Sequence, residues 1–324
     1  MAIIAPAAID VHAHYLPPTY RAALERAGIE HPDGFPFIPD WTAPGAIRLM
    51  DAVGIAFALL SISSPGLHFL PPEERVALAR EVNHEGASAV HDHPERFGLL
   101  ASLPLPDIDA TLAEIDHAAD ILVVDGFSMM TNYDGIYLGD PRFEPVFAEL
   151  GRRSALVAIH PTSPPGSEMT AIGRPAPMLE FPFDTTRTVF DLILHGTLRH
   201  NSSVRVIVPH VGSALTTLAD RVQGFTTTFA ARGGDADIDV HRELNGLYFD
   251  TAGDPFPNAL LALRQIVDST RILYGSDAPF APQHMIETGA TRLMQTDLLT
   301  DQTRSQLLRY NALGLIPRLE EQLR

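Results

Sequence analysis

Short apolar runs recur along the chain, and most are followed by a stretch in which apolar residues return every three or four positions. Alternation of buried strands with amphipathic helices is the pattern of βα units and a parallel sheet. The runs predict strands over 8–12, 56–62, 98–103, 126–130, 155–160, 204–210, 247–250 and 271–276. The helical periodicity predicts helices over 72–90, 109–123, 141–153, 185–198, 213–231 and 258–267.

Eight strands alternating with helices predict a (β/α)8 TIM barrel in a single domain. A barrel core takes about 250 residues, which leaves about 70 for additions. Segment 15–44, rich in proline, glycine and aromatic residues and holding Trp41, is the expected inserted lid. Segment 161–184 is a second expected insertion, and the chain after Phe280, including 301–308, is expected to form terminal helices. A doubly wound open sheet is the competing architecture. It is disfavoured because no glycine-rich phosphate loop follows the first strand.

Composition narrows the chemistry. The chain has no cysteine, so disulfides, thiolate ligands and a cysteine nucleophile are excluded. All 23 of its Lys+Arg residues are arginine, which excludes Schiff bases, a P-loop lysine and a carbamylated lysine bridging two metals. A formal charge of −17 argues against nucleic acid or anionic membrane as partner. No apolar stretch approaches the ~18 residues of a membrane span, and the first residues lack a basic signal region. The expected setting is therefore cytoplasmic.

The polar residues that interrupt the apolar runs carry the functional signal. The first strand ends in Asp10-Val11-His12-Ala13-His14, and residues i and i+2 of a strand share a face, so both imidazoles can approach one ion. His91-Asp92-His93 has the same spacing but follows a helical pattern and precedes Pro94, so it reads as a solvated helix end. His160, His210 and Asp277 each stand alone at the carboxyl end of an apolar run. In a parallel barrel these ends converge on one face, and buried ionisable groups there are costly unless paired or metal-bound. Asp250 ends another such run and reads as a supporting residue. No Gly-x-Ser-x-Gly elbow supports a serine nucleophile.

The set His12-x-His14, His160, His210 and Asp277 resembles the amidohydrolase superfamily, in its decarboxylating branch. That branch includes the aminocarboxymuconate semialdehyde, γ-resorcylate and 6-methylsalicylate decarboxylases, and the likeness to the last group is greatest. It extends through 10–18, 32–36, 60–66, 131–141, 160–164, 183–187 and 274–277. The chain departs from the pattern at His210-Val211-Gly212-Ser213, where a small-Gly-Gly run is usual, and at Ala278, where an aromatic is common.

The resemblance implies that His12, His14, His160 and Asp277 bind one divalent metal, with His210 as acid/base beside it. Asp277 is the other candidate to deliver a proton. Zinc is the first expectation and manganese the second, since nitrogen and carboxylate donors suit either. The expected reaction is non-oxidative decarboxylation of a salicylate-type or muconate-type acid. The alternatives are a metal-dependent hydrolase such as a lactonase, and a non-catalytic metal-binding barrel. Trp41, Thr131, Asn132, Phe183 and Arg187 are the candidate substrate contacts, and a homodimer is the expected assembly.

Overall fold

The computed structural model describes residues 8–233 and 238–322. Its eight principal strands are β1 (Ala8–His14), β2 (Ile55–Ser61), β3 (Phe97–Ser102), β4 (Gly126–Met130), β5 (Leu156–His160), β6 (Arg205–Val208), β7 (Tyr248–Asp250) and β8 (Ile272–Leu273). They lie in sequence order in one sheet, every neighbouring pair parallel. Bridges from Asp10 to Tyr274 and from Ala13 to Ala278 join the last strand to the first. Val11 N donates to Tyr274 O at 3.0 Å and His14 N to Ala278 O at 2.7 Å, which closes the (β/α)8 barrel.

Ile9, Val11, Phe57, Leu59, Leu100, Leu156, Ile207 and Leu273 fill the barrel as one apolar cluster with Leu315, Ile316 and Leu319 of the C-terminal segment. Strand periodicity alone would send His12 to the opposite face from Val11. The register of β1 against β2 shifts between Asp10 and Ala13, and this irregularity changes the phase. Ile9 and Val11 thus belong to the interior cluster, while His12 and His14 both reach the site at the carboxyl ends of the strands.

The principal connecting helices are α1 (Pro18–Arg26), α2 (Ala43–Val53), α3 (Pro72–Asp92), α4 (Ile108–His117), α5 (Glu144–Arg152), α6 (Ala176–Leu194), α7 (Leu215–Ala230), α8 (Asn258–Leu263) and α9 (Gln283–Gln295). Segment 15–44 holds α1 and the start of α2, and is tied down by Tyr20 Oη donating to Gly66 O at 2.9 Å and Arg21 to Pro39 O at 2.6 Å. Helix α6 begins nine residues before the predicted position 185. Its prolines suggest a loop, but Pro177 occupies the first turn, where no amide donor is required. Pro182 lies inside the helix, and Thr186 Oγ1 donates back to its carbonyl at 2.7 Å. The predicted helix 109–123 is α4 continued by a π-turn, Ala118–Leu122, that Val123 ends at φ 56°. No helix among the described residues is long and apolar enough to cross a membrane.

Candidate metal centre

His12 and His14 lie at the end of β1, His160 at the end of β5, and Asp277 four residues beyond β8. One ligand atom from each of these four residues lies within 4.8 Å of every other. His12 Nε2 is 3.1 Å from His14 Nε2, and Asp277 Oδ1 is 3.6 Å and 3.3 Å from those two nitrogens. The His14 and His160 ring centroids are 4.8 Å apart. The three histidines are buried, and Asp277 is partly open to the cavity above.

Their outer nitrogens explain the arrangement. His12 Nδ1 is 2.8 Å from Asp250 Oδ2, His14 Nδ1 is 3.2 Å from Ser61 O, and His160 Nδ1 is 2.8 Å from Pro161 O. Carboxylates and carbonyls only accept, so each Nδ1 carries a hydrogen, and each ring when neutral turns a bare Nε2 inward. Two unshared pairs 3.1 Å apart repel unless a proton or a cation lies between them. Three imidazoles and one carboxylate therefore fit a single divalent ion, with the outer hydrogen bonds orienting the ligands.

Electrostatics agree with this. Burial and the neighbouring His14 and His12 hold His160 well below its ordinary pKa, so it stays neutral. Burial likewise lowers His14. For His12 burial opposes charge, but Asp250, Asp277 and Asp10 together outweigh it and raise the ring to about 9. A metal held at this site would have to displace that proton, so its binding would depend on pH. Burial alone would raise Asp277; contacts with His14, His210 and His12 draw it well below the usual carboxylate range.

His210 follows β6 with its ring centroid 5.2 Å from that of His12 and its Nε2 3.9 Å from Asp277 Oδ2. It belongs to a run of left-handed residues: His210 at φ 55°, Val211 at 57°, Gly212 at 73° and Ser213 at 54°. The three non-glycine members are strained conformers that surrounding contacts must hold. His210 N donates to Asp250 Oδ1 at 3.0 Å, Ser213 N to His210 O at 2.9 Å, and Ala214 N to Thr186 Oγ1 at 3.1 Å.

A cavity of about 530 Å³ opens above these residues. Phe35 and Phe37 of segment 15–44, Phe181 and Pro182 of α6, Phe280, Met285 of α9, and the Ser63–Ser64 pair contribute to its wall, as do His160, His210 and Asp277. Among the described residues no arginine lines it, and the chain contains no lysine.

The five candidate substrate contacts lie away from that wall. Trp41 packs on Tyr15 and Phe97, beside a separate apolar cavity behind β1 and β2. Thr131 and Asn132 are buried and donate to Asp184 Oδ2, Asn132 at 2.8 Å. Phe183 is exposed on the outer face of α6, because residues 181 and 183 of a helix point roughly 200° apart. Arg187 is half exposed, with its guanidinium 3.8 Å from Asp184 Oδ1. Sequence reasoning missed Phe181 and Phe280, although both neighbour residues it singled out. Asp10 was also missed. Its Oδ1 accepts from His12 N and Ser276 N, each at 3.0 Å, and so joins the first and last strands beneath the site.

The amidohydrolase family model matches residues 9–318. A 6-methylsalicylic acid decarboxylase of Aspergillus aculeatus is 36% identical over 323 residues, 96% of each chain. A crystal structure of an amidohydrolase superposes with a TM-score of 0.90 at 33% identity, over 96% of this chain and 99% of the other. A dihydroxybenzoic acid decarboxylase of Polaromonas sp. JS666, solved with bound manganese and the inhibitor 2-nitroresorcinol, has a TM-score of 0.81 at 20% identity, covering 96% and 97% of the two chains.

Proposed function

Because the chain belongs to the amidohydrolase family, we propose that its barrel mouth carries out the metal-dependent, non-oxidative decarboxylation of a small aromatic acid. It is a carbon–carbon lyase of that family. The observation that carries the reading is the four-ligand cluster at the floor of an aromatic cavity with no arginine among its described lining residues. A carboxylate substrate entering there meets no arginine among the described residues of the wall, so the ligand cluster is where its charge is met. The finer substrate class is a salicylate with an apolar ring substituent. Phe35, Phe181, Phe280 and Met285 suit a ring and an alkyl group.

His12, His14, His160 and Asp277 are the residues that would hold the ion, with zinc favoured over manganese for a site rich in imidazole. When bound, a divalent ion supplies a Lewis acid that stabilises negative charge on substrate oxygen. The chain's own residues do the rest. The aromatic wall holds the ring and excludes water. His210, with Nε2 toward the cavity floor, holds the proton that the carboxyl-bearing ring carbon takes up. When the bond between that carbon and the carboxyl carbon breaks, its electron pair restores the aromatic ring and CO2 leaves. The product is the phenol with one new C–H bond. Asp277 Oδ2, 3.9 Å from His210 Nε2, faces the same region.

A cytoplasmic setting and a homodimer complete the proposal. Phe183 and Leu194 of α6 and Phe225 and Phe229 of α7 are exposed apolar side chains that support self-association. The test is incubation of metal-loaded protein with 6-alkylsalicylates. One CO2 for each phenol formed supports the reading, whereas a ring-opened or hydrolysed product carrying water oxygen assigns the site to a hydrolase.

A further inference from the structure

We propose that Asp250 is a positioning residue that couples the metal ligand His12 to the acid–base histidine His210. The inference rests on the reading of the site given above and adds to it the element that keeps its two functions in register. Asp250 ends β7, is buried, and divides its two oxygens between two tasks. Oδ2 takes the Nδ1 hydrogen of His12 at 2.8 Å, which leaves His12 Nε2 bare toward the ligand cluster. Oδ1 takes the main-chain hydrogen of His210 at 3.0 Å and that of Ala252 at 3.0 Å.

The second task matters because His210 begins the left-handed run that extends to Ser213. Such backbone persists only where its surroundings over-determine it. The imidazole gives no help of its own: His210 Nδ1 is buried without a hydrogen-bond partner among the described residues. The direction of the ring is therefore set by the main chain below it, and the first amide of that turn is fixed by Asp250. One rigid carboxylate at the end of β7 thus sets the spacing between a ligand on β1 and the group that follows β6. Both bonds require an acceptor, and a carboxylate supplies two where an amide supplies one.

Asp250→Asn tests this because it keeps shape and volume but has a single acceptor oxygen. Turned toward His12, that oxygen preserves the ligand's tautomer and leaves His210 N facing an NH2 group. Metal affinity, measured by chelator competition without substrate, then stays near wild type while kcat falls at least tenfold. Turned toward His210, it leaves His12 without an acceptor, and metal affinity falls about 10- to 100-fold, as for other partners of ligating histidines. One of the two losses is expected. In the first case D250N introduced into a H210A background should cost no further kcat, since its effect passes through His210.

Retention of both metal affinity and kcat within threefold overturns the proposal. So does a lowered Tm with unchanged metal affinity and unchanged rate per bound metal, which marks Asp250 as structural only. The affinity measurement needs no turnover, so it separates failure of the coupling from failure of the decarboxylase reading. Should Asp250→Ala fail to fold, the isosteric D250N still carries the test.

Discussion

His210 Nε2 stands 3.9 Å from Asp277 Oδ2, beyond hydrogen-bonding distance, and both side chains line the floor of the same cavity. The four-residue donor cluster includes Asp277 but not His210. His210→Ala should therefore retain its metal and lose at least ~100-fold in kcat, the usual scale for a proton-transfer group. Metal content by mass spectrometry and steady-state rates on the same sample check this. Turnover near the wild-type rate would remove His210 from the mechanism.

His12→Ala, His14→Ala and His160→Ala each delete an inward Nε2 whose Nδ1 is already committed to a partner. Each variant should bind its divalent ion at least tenfold more weakly. Removing the metal from wild-type protein with a chelator should abolish activity, and zinc or manganese should restore it. Full occupancy in the His12 and His14 variants would contradict their assignment as ligands.

The convergence of His12, His14, His160, His210 and Asp277 was legible because a parallel barrel gathers all its strand ends, and each residue stops an apolar run. The surroundings were less legible, for definable reasons. The prolines of α6 conceal where that helix begins, so its rotation cannot be read, and the inward aromatic is Phe181 where Phe183 was expected. Thr131 and Asn132 follow β4 as the pattern requires, but their side chains satisfy a buried carboxylate, Asp184, that lies 52 or 53 positions later. Asp250 showed itself only as the end of a run; its partners His210 and His12 lie 40 and 238 positions away.

Asp184 is fully buried, and Thr131 Oγ1, Asn132 Nδ2 and Tyr137 Oη all donate to it, the last at 2.6 Å. Asp184→Ala would leave these donors without an acceptor. A cost of about 3 kcal/mol is expected, on the scale of buried polar groups left unpaired. Urea denaturation of the metal-loaded protein measures it, and a loss below about 0.5 kcal/mol would show that water replaces the carboxylate.

Phe181 and Phe280 both line the cavity, with the Phe181 ring 6.3 Å from that of His160 and the Phe280 ring 5.6 Å from that of His14. On the proposed reading they hold the substrate ring and take no part in proton transfer. Phe181→Ala should raise KM about tenfold and change kcat less, the signature of lost uniform binding. An equal fall in kcat and kcat/KM would instead make Phe181 part of transition-state stabilisation.

Acid stability should depend on Glu149, which Arg152 and Arg153 lower from 4.5 to about 2. A carboxylate depressed in the fold stabilises the protein above its unfolded pKa, and that contribution is lost as pH falls from about 4.5 toward 2. The pair is largely on the surface and screened by solvent, so the effect is modest. Glu149→Gln should show a smaller fall in urea midpoint than wild type between pH 6 and about 3.5. Identical pH slopes would show that the arginines do not hold the charge.

Decarboxylation in deuterated water tests the central claim most directly. Metal-loaded protein acting on a 6-alkylsalicylate should release CO2 and phenol in equal amounts, with one deuterium on the vacated ring carbon, and chelator-treated protein should form neither. Equal turnover by the metal-free protein, or a product in which the carboxyl carbon is retained and water oxygen has been incorporated, would contradict it.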